Sequence, residues 1–255
     1  MKLHCKSRIF SVICLLSCIF GLNAQPLTED VTEVSTKSPV NNSTDMSEFT
    51  EAEKKAMEDI VVLFHKFKKA STKHDGESFV NLVTKNSIER FAHIKYLTLN
   101  ATEEELNNSN YCDQVYVLML RLEMEVADIQ NKSPKELMSF AVTKKSLGTT
   151  IHDVSKMQNL VVTKDTATAV HRKLEMMSKP GWFFKKESGQ WRVDITQLLD
   201  QIGNDIEKLA GKGLKYPPSK ELSLETVHTI VETFTFKELT RQHFKPLQKR
   251  DSIDG

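Results

Sequence analysis

Between Gly181 and Ile195, two runs rich in aromatic and β-branched residues flank Ser188-Gly189. Such runs on either side of a two-residue link ending in glycine specify a β-hairpin. This one contains both tryptophans of the chain, Trp182 and Trp191. With Ser188-Gly189 as the loop, Lys186 pairs with Trp191, Phe184 with Val193 and Trp182 with Ile195. Because side chains alternate along a strand, the aromatic and aliphatic residues other than Phe183 then share one face. Lys185, Arg192 and Asp194 take the other, so Asp194 reads as a solvated strand residue.

A second hairpin precedes it. Met157 to Thr163 and Thr166 to Met176 flank Lys164-Asp165, and two hairpins in series make an antiparallel meander. Here Val162 faces Ala167, Leu160 faces Ala169 and Gln158 faces His171. His171 is thereby expected on the inward face beside two alanines that leave it room. A histidine so placed is a candidate general base or ligand contact; the plainer alternative is a partly wet strand histidine.

Upstream the period is helical. Ser47 is a good N-cap, and Phe49, Ala52, Ala56, Ile60, Phe64 and Phe67 recur at three- and four-residue spacing to about Thr72. Glu77 to Val83 gives a short helical turn, and Ser87 to Leu97 a further helix. On the latter, His93 and Tyr96 share a face, either looking towards the sheet as candidate site residues or belonging to ordinary amphipathic packing. Thr102 and Ser133 each open capping boxes, the second with Pro134 at the first helical position. Tyr111 to Ala127 is a strongly apolar helix. After the sheet, Gln197 to Ala210 is helical, and two short helices are expected at Leu224–Thr233 and Phe236–Phe244. The fold class is therefore α+β: N-terminal helices on a small twisted antiparallel sheet, followed by C-terminal helices.

The first 24 residues have the form of a secretory signal: Lys2, Lys6 and Arg8, then an apolar run from Ile9 to Phe20, then a small residue, Ala24, for cleavage before Gln25. The run is short for a membrane span, which needs about 20 apolar residues. An imperfect lipobox, Leu15-Leu16-Ser17-Cys18, gives the alternative of a lipoprotein anchored at Cys18. Residues 25–46 lack aromatic residues and read as a disordered leader. Residues 47–199 form the α+β domain and 200–255 a C-terminal helical extension.

Cleavage after Ala24 removes 3 of the 35 basic residues, leaving 32 against 34 acidic ones, a balance of −2. That near-neutrality argues against nucleic acid as a partner. Of the 4 cysteines only Cys112 lies beyond the signal. No internal disulfide is then available, and Cys112 reads as a small buried hydrophobe. Asn-x-Ser/Thr sequons stand at Asn41, Asn42, Asn100, Asn107 and Asn131, and carry meaning only in a eukaryotic host; the single thiol suits a bacterial envelope, so the host stays open.

Two segments carry a resemblance: Lys164-Asp165-Thr166-Ala167-Thr168-Ala169-Val170, and the run from Phe183 to Ile195. Helices followed by a twisted sheet that closes in such an aromatic hairpin resemble the nuclear-transport-factor-2-like (cystatin-like cone) superfamily, in its exported bacterial form. The resemblance implies a cone whose inward face lines any site, with sheet-to-sheet dimerisation common. Members include isomerases, polyketide cyclases and epoxide hydrolases, so it carries fold and not function.

No phosphate loop, nucleophile elbow or metal-ligand spacing is present, and no cofactor or metal is expected. The nearest approach to a metal grouping is His152-Asp153 with His171. The leading expectation is a non-catalytic exported protein that binds a small apolar ligand or an envelope protein, with His171, His93, Tyr96, Trp182 and Trp191 as ligand contacts. The alternative is an isomerase- or hydrolase-type enzyme with its site inside the cone. A third expectation is a homodimer formed through the sheet.

Overall fold

A computed structural model of the chain describes residues 49–144, 157–171, 181–211, 227, 231–232 and 238–247. Among the described residues, seven helices precede the sheet: α1 Glu51–Thr72, α2 Gly76–Val80, α3 Lys85–Asn100, α4 Glu103–Asn107, α5 Tyr111–Glu123, α6 Val126–Asn131 and α7 Pro134–Thr143. The strands are β1 Met157–Val162, β2 Thr166–His171, β3 Trp182–Glu187 and β4 Gln190–Asp194, antiparallel in the order β1-β2-β3-β4. Helix α8, Thr196–Gly211, and a 3₁₀ turn, Arg241–Phe244, follow. The fold is α+β with helices on both sides of the sheet in sequence, as expected. Among the described residues no helix is long and apolar enough to cross a membrane.

Capping chemistry sets the helix starts. Helix α1 begins after Thr50, not Ser47, because Thr50 and Glu53 cap each other: Glu53 N donates to Thr50 Oγ1, and Thr50 N donates to Glu53 Oε2 at 2.8 Å. Helix α1 ends where His74 takes a left-handed φ of 55°. The apolar run after Tyr111 is not one helix to Ala127. It stops at Glu123, Met124 is extended, and α6 restarts behind Glu125. Nor is 236–244 a single helix in its described part: residues 238–240 are non-helical, and Thr240 caps a 3₁₀ turn through His243 Nδ1. The expected signal and leader, the end of the strand expected to run to Met176 and most of the helix expected at Leu224–Thr233 lie outside the described residues.

The chain divides into two compact units that alternate along the sequence. One comprises residues up to Leu82 and Val142–Asp194; the other comprises Val83–Ala141 and Ile195 onward. In the first, the β3–β4 register is the expected one: Lys186 opposite Trp191, Phe184 opposite Val193. Ser188 and Gly189 have φ of 49° and 80°, the paired positive values of a type I′ turn, which matches the right-handed twist of the strands. Trp182, Phe184, Trp191 and Val193 are all buried, and Val193 N donates to Leu82 O at 2.9 Å along the outer edge of β4.

The β1–β2 register differs from expectation. Val162 does face Ala167, but the register shifts between Gln158 and Val161, so His171 stands opposite Met157 and Gln158 opposite Val170. The cause is a bulge: Asn159 adopts φ of 49°, and two residues of β1 oppose one of β2.

Candidate functional site

The first unit is the one in which the resemblance would put a site, and there Trp182 is the central side chain. It is 1% exposed. Phe64 meets it edge-on with ring centroids 4.9 Å apart, and Phe67 does so at 5.9 Å. Phe67 packs on Phe79 at 4.7 Å, while Phe64 also reaches Phe184 at 6.5 Å. The apolar stripe of α1, read from its spacing, supplies Phe64 and Phe67; β3 supplies Trp182 and Phe184 by alternation. Edge-to-face arrangements of this kind add roughly 0.5–1.5 kcal/mol per pair beyond the burial itself. Trp182 and Trp191 are thus core residues. Trp191 is 8% exposed, with Lys186 Nζ 5.9 Å over its ring.

Of the other expected site residues, His171 belongs to this unit, whereas His93 and Tyr96 do not. His93 and Tyr96 lie on α3 in the second unit, and both are exposed, Tyr96 by 60%. The face of α3 that turns inward carries Ser87, Phe91, Ile94 and Thr98, and a helix places positions 93 and 96 on the opposite side. His171 is the last residue of β2, paired with Met157; His152 and Asp153 fall outside the described residues. Asp194 is half-buried on the side of β4 away from Trp191, in line with the strand alternation.

The second unit holds two polar constellations that the spacing arguments missed. In the first, Arg90 of α3 donates from Nε to Asp113 Oδ1 at 2.9 Å, and from Nη1 to Asp200 Oδ1 at 2.6 Å and Thr196 O at 3.1 Å. The Arg90 and Asp113 side chains are each 9% exposed, whereas that of Asp200 is 51% exposed. Burial pushes the Asp113 carboxyl upward, against the pull of Arg90, while Asp113 and Asp200 together outweigh burial and hold the guanidinium above its usual range. Cys112, next along α5, is buried, and burial drives its thiol far upward, with Asp113 adding to the effect. A thiol so placed stays protonated at neutral pH and does not attack.

The second constellation centres on Arg121, 3% exposed. Its Nε donates to Thr98 O at 2.9 Å, Nη2 to Leu97 O at 2.9 Å and Ala101 O at 2.7 Å, and Nη1 to His243 O at 3.0 Å. Three of these carbonyls close the C-terminus of α3, where the helix dipole favours a cation and the last carbonyls lack intrahelical donors. Chemically, both guanidinium groups are committed within the fold. Arg90 is neutralised by carboxylates and Arg121 is saturated by carbonyls, so neither presents a free fork to an anion. The signal in the sequence was the charge itself: Asp113 and Arg121 interrupt a run, Cys112 to Arg121, that is buried at every position.

No family model, curated protein or solved structure matches this chain.

Proposed function

We propose that this is an exported, non-catalytic protein that acts through its surface on another protein, rather than by enclosing a small ligand. The observation that supports the reading is the burial of Trp182, 1% exposed, edge-on against Phe64 and Phe67. Side chains packed to interior density leave little void for a guest. Two further features support a non-catalytic role. The buried thiol of Cys112 is held protonated, and the Arg90 carboxylates are occupied by their cation rather than poised as bases. Export is read from the basic start, apolar run and Ala24 of the first residues.

The test is equilibrium dialysis of the secreted protein against a labelled long-chain fatty acid, with melting followed in parallel. The expected result is no saturable uptake and no rise in melting temperature. One-to-one uptake that raises the melting temperature, as ligand binding to the folded state must, would overturn the reading in favour of an apolar-ligand carrier.

A further inference from the structure

Three sequons lie within the described residues, at Asn100, Asn107 and Asn131, and the fold treats them differently. Asn107 has its carboxamide oxygen buried, so a glycan on its Nδ2 has to be carried with the other end of that amide enclosed. Asn131 is exposed at the end of α6, but Ala127 and Asp128 occupy the preceding turn, so the helix offers it no aromatic ring there. Its Ser133 also runs directly into Pro134, which restricts the backbone of the residue before it.

Asn100 stands apart. It is the last residue of α3, and its side chain bends back along the helix, Nδ2 donating to Tyr96 O at 2.9 Å in an exposed bond. Tyr96, four residues earlier and so on the same face, is 60% exposed, one of three large apolar side chains left in solvent among the described residues. His93 is exposed one turn further back on that face. Beyond Asn100 the chain leaves the helix extended, with ψ of 128° at Ala101 and 166° at Thr102, and Thr102 is exposed. A sequon amide thus lies one turn from a bare aromatic ring. The C–H face of a pyranose packs well on such a ring, and an N-linked amide keeps one N–H, enough to retain the bond to Tyr96 O.

We propose that Asn100 is an N-glycosylation site and that the innermost N-acetylglucosamine lies on the Tyr96 ring. The proposal rests on the export reading and narrows it to a eukaryotic secretory route. In the transfer step the Asn100 Nδ2 forms a bond to C1 of an oligosaccharide carried on a polyprenyl diphosphate. The C1–O bond to the diphosphate breaks, the diphosphate leaves with the bonding pair, and Nδ2 loses one proton.

The full chain is expressed in a secreting eukaryotic cell line, and the protein in the medium is compared with Asn100→Gln, Asn107→Gln, Asn131→Gln and Tyr96→Ala before and after enzymatic removal of N-glycans. Glycopeptide mass mapping of the wild type assigns the site without relying on any variant. The expected result is a glycan on the Asn100 peptide and one fewer glycan on Asn100→Gln, with Asn107→Gln and Asn131→Gln unchanged. Tyr96→Ala is expected to lower the melting temperature of the glycosylated protein by about 2–4 °C and to leave the deglycosylated protein unmoved. Secreted protein with a bare Asn100 overturns the proposal while leaving export intact. Equal effects of Tyr96→Ala with and without glycan overturn the stacking. A chain kept uncleaved in the cytosol overturns both the proposal and the export reading.

Discussion

The two units reach the same end, a buried interior, by opposite chemistry. Around Trp182 the first unit uses rings: Phe64, Phe67, Phe79 and Phe184 bring no formal charge into the core. The second buries Arg121 at 3% exposure and Asp113 at 6%, Asp113 accepting from Arg90 of α3 and Arg121 donating to carbonyls at the end of α3 and to His243 O. Apolar packing degrades gradually when altered, because the loss scales with the atoms removed. A buried ion fails abruptly, because removing one partner strands the other without solvent. The first region should therefore tolerate conservative change and the second should not.

Substitutions of graded severity sharpen that contrast. Trp182→Ala should cost about 3–5 kcal/mol, read as a lower urea midpoint, and Trp182→Phe distinctly less. Arg90→Met leaves Asp113 buried without its cation and should also cost about 3–5 kcal/mol, while adding Asp113→Leu should recover most of the loss. If the double variant is as unstable as the single one, the charge argument for the second unit fails. A smaller effect is expected at Gly203 of α8, where a Cβ would collide with the Asn110 carboxamide that caps α5. Gly203→Ala should cost about 1–3 kcal/mol, as overpacking does, even though alanine is the better helix former.

The smallest effects are in acid. Glu53 and Asp75 in the first unit and Glu136 in the second have carboxyls held below their ordinary range by hydrogen bonds to Thr50, Ser78 and Ser133, respectively. A carboxylate lowered in the fold stabilises above its unfolded value, and that contribution is lost as pH falls through the folded one. Asp113 has the opposite sign: burial raises it, so the folded state takes up its proton first, and stability from this group declines as pH rises towards the folded value. Glu53→Gln should therefore flatten the acid limb of a stability profile below the ordinary glutamate range. Asp113→Asn should lower the whole profile while leaving that limb at least as steep.

How much of this was legible in the sequence depends on whether the deciding interaction was local. The β3–β4 register could be read because a two-residue loop ending in Gly189 fixes the pairing of everything beside it. The β1–β2 register could not, since the bulge turns on the left-handed backbone of Asn159 within an otherwise ordinary strand sequence. The N-cap moved from Ser47 to Thr50 because Thr50 has its own reciprocal partner three residues on, a box visible in the sequence and outweighed by an earlier serine. For the candidate site the gap is wider. Trp182 and Trp191 were legible as inward residues, but whether an inward aromatic lines a space or fills it depends on Phe64 and Phe67, more than a hundred residues away in the chain. His93 and Tyr96 were placed on a common face correctly, yet that face is the solvent side, decided by where Phe91 and Ile94 find their neighbours. Arg121 needed carbonyls from α3 and from His243, which no spacing rule connects.

The most direct test of the filled interior is acrylamide quenching of the Trp191→Phe variant, which leaves Trp182 as the sole indole. A ring 1% exposed and flanked by Phe64 and Phe67 should emit far to the blue and resist the quencher until the protein unfolds. Red-shifted emission from Trp182, quenched in the native protein as readily as a free indole, would mean that the interior is open, and the surface-acting account would fall.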